Sequence, residues 1–170
     1  LEFRRVLFRS LREFPLRFDP VVARAHGENA QRMMLALVEL DTPVVAALHG
    51  ACMGGGLELA LACSTRIAAA SATLALPEIR RGIWPGTGGA PLLERLVGPA
   101  AAKRLLYCGA SVTAAEALTL GLVDEVVEDA DLPARSLEVA CEIAAQPACS
   151  VRTLTQLVDR RFRLDFREHL

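Results

Sequence analysis

The chain has 170 residues, is 52% apolar with few aromatics, and carries a net charge of −1. That length suits one domain, with a core that buries roughly 70% of the surface of the unfolded chain. Residues 1–18 hold five Arg against two acids and residues 152–170 five Arg against three acids, so the middle of the chain is acidic; such a body excludes a nucleic-acid binder, which needs a basic face.

Residues 1–10 look foreign to the rest and read as an assembly scar. Pro20 opens a helix predicted to run to Leu40, with Met33, Met34, Leu37 and Leu40 at helical spacing, and Pro43 stops it. Val44-Val45-Ala46-Ala47-Leu48 is a continuous apolar run, which predicts a strand covered on both faces. Residues 50–56 are expected to form a turn, because a helix tolerates so much glycine poorly. Residues 57–63 predict a helix, and residues 65–70 and 73–76 predict strands. Two helices follow at 92–97 and 100–106, separated by Gly98-Pro99. Thr113 and Glu116 form a capping box, and Gly121 is a natural helix end. Residues 122–127 predict a strand and 132–145 a helix closed by Pro147. A last helix runs from Ser150 with Leu154, Leu157, Val158 and Phe162 on one stripe. Strands alternate with helices, so the class is α/β.

Five cysteines, Cys52, Cys63, Cys108, Cys141 and Cys149, form no C-x-x-C pair. They read as free buried thiols of a reducing compartment, with neither a metal site nor a disulfide framework. No apolar run is long enough to span a bilayer, and a cytoplasmic location is expected.

Two glutamates carry the chemistry this sequence suggests. Glu58 follows Gly54-Gly55-Gly56 at the start of a helix that is apolar on nearly every side, so its carboxyl is expected to be buried. The three glycines leave backbone amides open to a substrate oxygen, where the helix dipole adds positive potential; the same glycines also suit a plain tight turn. Glu78 lies in Leu76-Pro77-Glu78-Ile79, before the loop Pro85-Gly86-Thr87-Gly88-Gly89. Its plainer reading is a loop acid paired with Arg80 or Arg81. The second loop resembles a phosphate cradle but lacks the Lys-Ser/Thr ending of a P-loop. Trp84 is a candidate wall for an acyl pocket. A competing motif is Gly50-Ala51-Cys52-Met53-Gly54, a nucleophile elbow with Cys52 at its apex and Asp124 and His169 following in triad order. His26 and His49 have no partners at a recognisable spacing and read as structural.

The stretch from Pro43-Val44-Val45-Ala46-Ala47 through Gly54-Gly55-Gly56-Leu57-Glu58-Leu59-Ala60 resembles the central signature of the crotonase superfamily, specifically of enoyl-CoA hydratases. So does Leu76-Pro77-Glu78-Ile79 with Gly82-Ile83-Trp84-Pro85-Gly86-Thr87-Gly88-Gly89, and so do Gly109, Ala114-Ala115-Glu116-Ala117 and Gly121-Leu122-Val123. The resemblance covers about residues 20–165. It implies a partial ββα spiral core over 11–146 and the start of a C-terminal helical trimerisation region over 147–170. It further implies reversible addition of water to a 2-trans-enoyl-CoA, with Glu58 activating the water and Glu78 serving the proton at Cα. The Gly55 amide would be one oxyanion donor, the Gly86 amide would help place the water, and Met53 would join Trp84 in the substrate pocket. The implied partner is an acyl-CoA, with no metal, no separate cofactor and no membrane, in a homotrimer or hexamer at full length. A delta-isomerase using Glu78 as a proton shuttle is the near alternative; a Cys52 hydrolase or an inactive truncated subunit are the distant ones. Ser64 stands where the family usually has Asp, and Leu74 where an aromatic is usual. Nothing upstream of Leu11 resembles the family's N-terminal part, so the chain is expected to be a piece of a longer protein.

Overall fold

The computed structural model describes residues 20–169, with side chains described from Val21 to Val158 apart from Ala23. Helix α1 (Pro20–Val38) leads into β1 (Val45–Leu48), β2 (Ala51–Met53), α2 (Gly55–Leu61), β3 (Thr65–Ala69) and β4 (Thr73–Ala75). A 3-10 turn (Glu78–Arg81) precedes α3 (Gly89–Cys108), β5 (Ser111–Thr113), α4 (Ala114–Thr119), β6 (Glu125–Val127), α5 (Leu132–Ala144) and α6 (Ala148–His169).

The strands form two three-stranded sheets. One has the order β1-β3-β6 and is wholly parallel; the other has the order β2-β4-β5, with β4 parallel to β2 and antiparallel to β5. From β1 to β4 the chain alternates between them, so β1, β2 and α2 make one turn of a winding and β3 and β4 begin the next. Val45 pairs with Thr65, a repeat of twenty residues. Glu58 and Glu78 are also twenty residues apart, the first in α2 and the second in the 3-10 turn that follows β4.

β1 is buried at all four residues, as its continuous apolar run requires. Helix α5 packs on β1 and β3. The core is built mostly of small and aliphatic residues, with Met34, Leu48, Leu57, Ile67, Leu74, Leu93 and Leu122 among those fully enclosed. Arg66 is the one buried cation among the described residues. Its guanidinium donates to the carbonyls of Leu122 and Cys63 and to Asp124, whose carboxylate also accepts from the Arg66 amide at 2.7 Å. Burial holds the Arg66 pKa below the usual arginine value, and the nearby Asp124 carboxylate opposes that shift.

Several sequence expectations need correction. The glycine stretch 50–56 is not one turn: Ala51–Met53 form β2, flanked by Gly50 and Gly54 at positive φ. The short strand is specified by its ladder with β4, a contact that glycine content does not reveal. Helix α2 begins at Gly55, two residues early, and α3 begins at Gly89; at Gly98 (φ 75°) α3 breaks into the two helices the sequence predicts. Of the predicted strand 122–127 only 125–127 pair, because the Asp124 amide donates to the Arg66 carbonyl while the Asp124 side chain takes the Arg66 amide. The α6 stripe lies at the surface: Leu154, Leu157 and Val158 are all exposed, and the Phe162 side chain lies outside the described residues. Cys52 and Cys63 are buried, but Cys108, Cys141 and Cys149 are exposed.

Candidate active site

Gly54 is the corner on which the site is built. Its amide donates to the Ala75 carbonyl and its own carbonyl accepts from the Glu58 amide, both at 2.9 Å. Its backbone (φ 57°, ψ −129°) is one that L side chains rarely adopt. It therefore joins the end of β4 to the start of α2, whose N-terminus has no side-chain cap. The first-turn residue Gly55 is half-buried.

Glu58 is only 1% exposed, as the apolar helix around it demands. A buried carboxyl oxygen without donors is costly. Here Oε1 accepts from the amides of Thr87 and Gly89, each at 2.9 Å. The glycine loop thus behaves as a cradle for the protein's own carboxylate. The fit is close: a Cβ at Gly89 would lie 2.8 Å from Glu58 Cγ and 2.9 Å from Pro85 Cβ, so only glycine admits the side chain here.

Glu78 opens the 3-10 turn, in the turn of the winding after Glu58. Its Oε1 lies 3.0 Å from where a Cβ at Gly54 would stand, and its Oε2 is enclosed. The fold therefore brings Glu78 to Gly54, the residue before Gly55, and brings Glu58 to the loop that follows Gly86. Gly86 has room for a Cβ, whose nearest neighbour would be the Trp84 carbonyl at 3.9 Å. Its carbonyl accepts a hydrogen bond of 3.3 Å from Gln31 Nε2 on α1.

Met53 ends β2 half-buried beside this corner. Trp84 is 76% exposed, so its indole does not close a pocket within the described residues; Pro85 instead packs toward Gly89. Two apolar cavities lie elsewhere. One, of about 450 Å³, runs between α6 and the body past Leu61, Leu92, Leu154 and Val158; another, of about 470 Å³, lies beside α5 past Val45, Pro133 and Leu137.

The Cys52 elbow does not assemble. Cys52 is buried, and burial, with Cys63 adding, pushes its thiol up to about 12, so it is not a thiolate at neutral pH. Asp124 is engaged by Arg66 rather than by a histidine, and the His169 side chain lies outside the described residues. Among the described residues no three His, Cys, Asp or Glu side chains gather in a metal-binding cluster, and no helix is long and apolar enough to cross a membrane.

Sequence reasoning did not find Thr87, Gly89 or Gln31. The loop 85–89 was visible as a cradle of amides, but which group it holds depends on a contact across some thirty residues. Gln31 carries no local signal; it is one polar position on an amphipathic helix.

Comparison with known proteins identifies a family. The sequence model of the enoyl-CoA hydratase/isomerase family matches residues 21–169. YngF of Bacillus subtilis (strain 168), named as an enoyl-CoA hydratase/isomerase, is 43% identical over 135 residues, which is 79% of this chain and 52% of YngF. Pseudomonas aeruginosa DspI superposes with a TM-score of 0.81 at 38% identity, over 83% of this chain and 58% of that one. An enoyl-CoA hydratase from Bacillus anthracis superposes with a TM-score of 0.78 at 37% identity, over 86% of this chain and 59% of that one. The chain thus spans about half the length of YngF.

Proposed function

The chain belongs to the enoyl-CoA hydratase/isomerase family, and on that premise we propose that it carries the acid/base half of an enoyl-CoA hydratase site. The substrate is a 2-trans-enoyl-CoA thioester, and the reaction adds water reversibly across its double bond. No separate cofactor takes part. At full length the enzyme works as a homotrimer or hexamer.

The observation that supports this reading is one carboxyl held in the amide cradle of residues 87–89 and a second carboxyl standing against Gly54, four residues before the first acid in the chain. Glu58 Oε1 is fixed by two amides at 2.9 Å, and Glu78 Oε1 stands against Gly54, one residue before an uncapped helix start. The Gly55 amide then donates to the thioester oxygen, where negative charge develops as the enolate forms; one such donor is worth about 3 kcal/mol of barrier. Glu58 takes a proton from the water as its oxygen bonds to Cβ. The π electrons move toward the thioester, and Glu78 delivers a proton to Cα. Glu58 ends protonated and Glu78 ionised, and solvent exchange resets the pair. Gly86 helps place the water, and Met53 borders the acyl chain.

The test is turnover of crotonyl-CoA by the natural full-length chain in 18O-labelled water, with Glu58→Gln and Glu78→Gln variants. The hydratase reading expects labelled 3-hydroxyacyl-CoA and a fall of roughly 10²–10⁴-fold in kcat for each variant. Double-bond migration in a 3-enoyl-CoA that survives Glu58→Gln and is lost in Glu78→Gln, with no label taken up, would make the enzyme an isomerase.

A further inference from the structure

Gln31 has no part in the chemistry above, yet its side chain reaches the loop that holds Glu58. Helix α1 is seated by Ala30, Met34 and Val38, which are buried four residues apart along one stripe. Gln31 lies on the flank of that stripe, so its backbone position is fixed by the core. Its Nε2 donates to the Gly86 carbonyl across fifty-five residues.

The Gly86 carbonyl and the Thr87 amide are two ends of one planar peptide. No peptide among the described residues is cis, so these ends point in opposite directions. One end accepts from Gln31; the other donates to Glu58 Oε1. We propose that Gln31 is a positioning residue: it pins the Gly86–Thr87 peptide plane from α1 and thereby aims the Glu58 carboxylate. Glycine at 86 makes the pin necessary, because without a Cβ the backbone on that side of the plane rotates more freely. Hydrogen bonds in series also polarise one another, so donation by Gln31 strengthens donation by Thr87. The Gly89 amide holds the same oxygen independently, so loss of Gln31 misaims Glu58 without releasing it.

This inference rests on Glu58 acting in catalysis, and the test separates the two. Gln31→Met keeps the length of the side chain and removes the donor; Gln31→Lys restores an N–H; Gln31→Glu keeps a polar surface without an N–H and substitutes for the Met variant should that one fold poorly. In the natural full-length chain, Gln31→Met is expected to lower kcat on crotonyl-CoA about tenfold, the effect of one lost hydrogen bond. KM should stay within about twofold, because the substrate is not touched. Amide exchange at Thr87, read by NMR, should quicken by about tenfold. Gln31→Lys should recover most of both losses, and Gln31→Glu neither. Unchanged Thr87 exchange in Gln31→Met overturns the inference, as does unchanged kcat in an enzyme whose wild type turns over. A wild type that neither hydrates nor isomerises enoyl-CoA overturns the role of Glu58 instead, and Thr87 exchange then decides alone whether Gln31 is the pin.

Discussion

Glu58 loses its water when α2 packs, and the amides of Thr87 and Gly89 replace it on one oxygen. That replacement needs a loop backbone closer to the side chain than a Cβ allows, so Gly89→Ala must push Glu58 aside or move the start of α3. We expect at least a tenfold loss of kcat with near-normal folding, measured by steady-state kinetics beside circular dichroism, because small misplacements of a reacting group are costly. Cys52 makes the opposite case. Its buried thiol is pushed up to about 12, so Cys52→Ala should leave turnover intact, and thiol reagents should label Cys108, Cys141 and Cys149 first. Mass spectrometry after brief alkylation reads that order. The burial of Glu58 was legible in the sequence because its neighbours are uniformly apolar. The partners of Glu58, the exposure of Trp84 and the reach of Gln31 were not, since each depends on segments far apart in the chain.

At the scale of elements, α4 shows the clearest local code. Thr113 caps the helix and Glu116 reaches back, accepting from the Thr113 amide at 2.8 Å and from its hydroxyl. The amide first, and the hydroxyl second, hold the Glu116 carboxyl below the usual carboxylate range. A depressed folded pKa stabilises at pH above the unfolded value and loses that contribution as pH falls through the folded value. Thr113→Ala is therefore expected to lower Tm by roughly 3 °C at pH 7, with a smaller difference in acid where Glu116 is protonated. Thermal melts of both proteins from pH 7 down to the acid limit of folding check this; a difference that does not shrink as pH falls would contradict it. The capping box and the β1 run could be read locally because three or four adjacent residues specify each of them. β2 could not, for its three residues are a strand only beside β4. Nor could the state of α6, whose Leu154 and Val158 line a groove rather than the core.

Across the molecule, the winding repeat ties site to scaffold. Each turn returns after about twenty residues, so acids at that spacing fall in successive turns. Arg66 fastens those turns: it links the end of α2 through Cys63, β3 through its own backbone, and the approach to β6 through Leu122 and Asp124. Arg66→Met should cost about 2–3 kcal/mol in urea unfolding, since two enclosed carbonyls lose their donor; a change under 0.5 kcal/mol would contradict that role. The α/β class was legible from alternating apolar runs, and the order of the strands was not, because parallel pairing joins segments that never meet in sequence. On the proposed function, both carboxyls and the Gly55 amide serve one thioester. The most direct measurement is a crystal structure of the natural full-length chain with a bound acyl-CoA. The thioester oxygen is expected about 2.7–3.1 Å from the Gly55 amide, with Glu58 and Glu78 flanking Cα and Cβ. An acyl group seated away from Gly54, or reaching only one of the two acids, would contradict it.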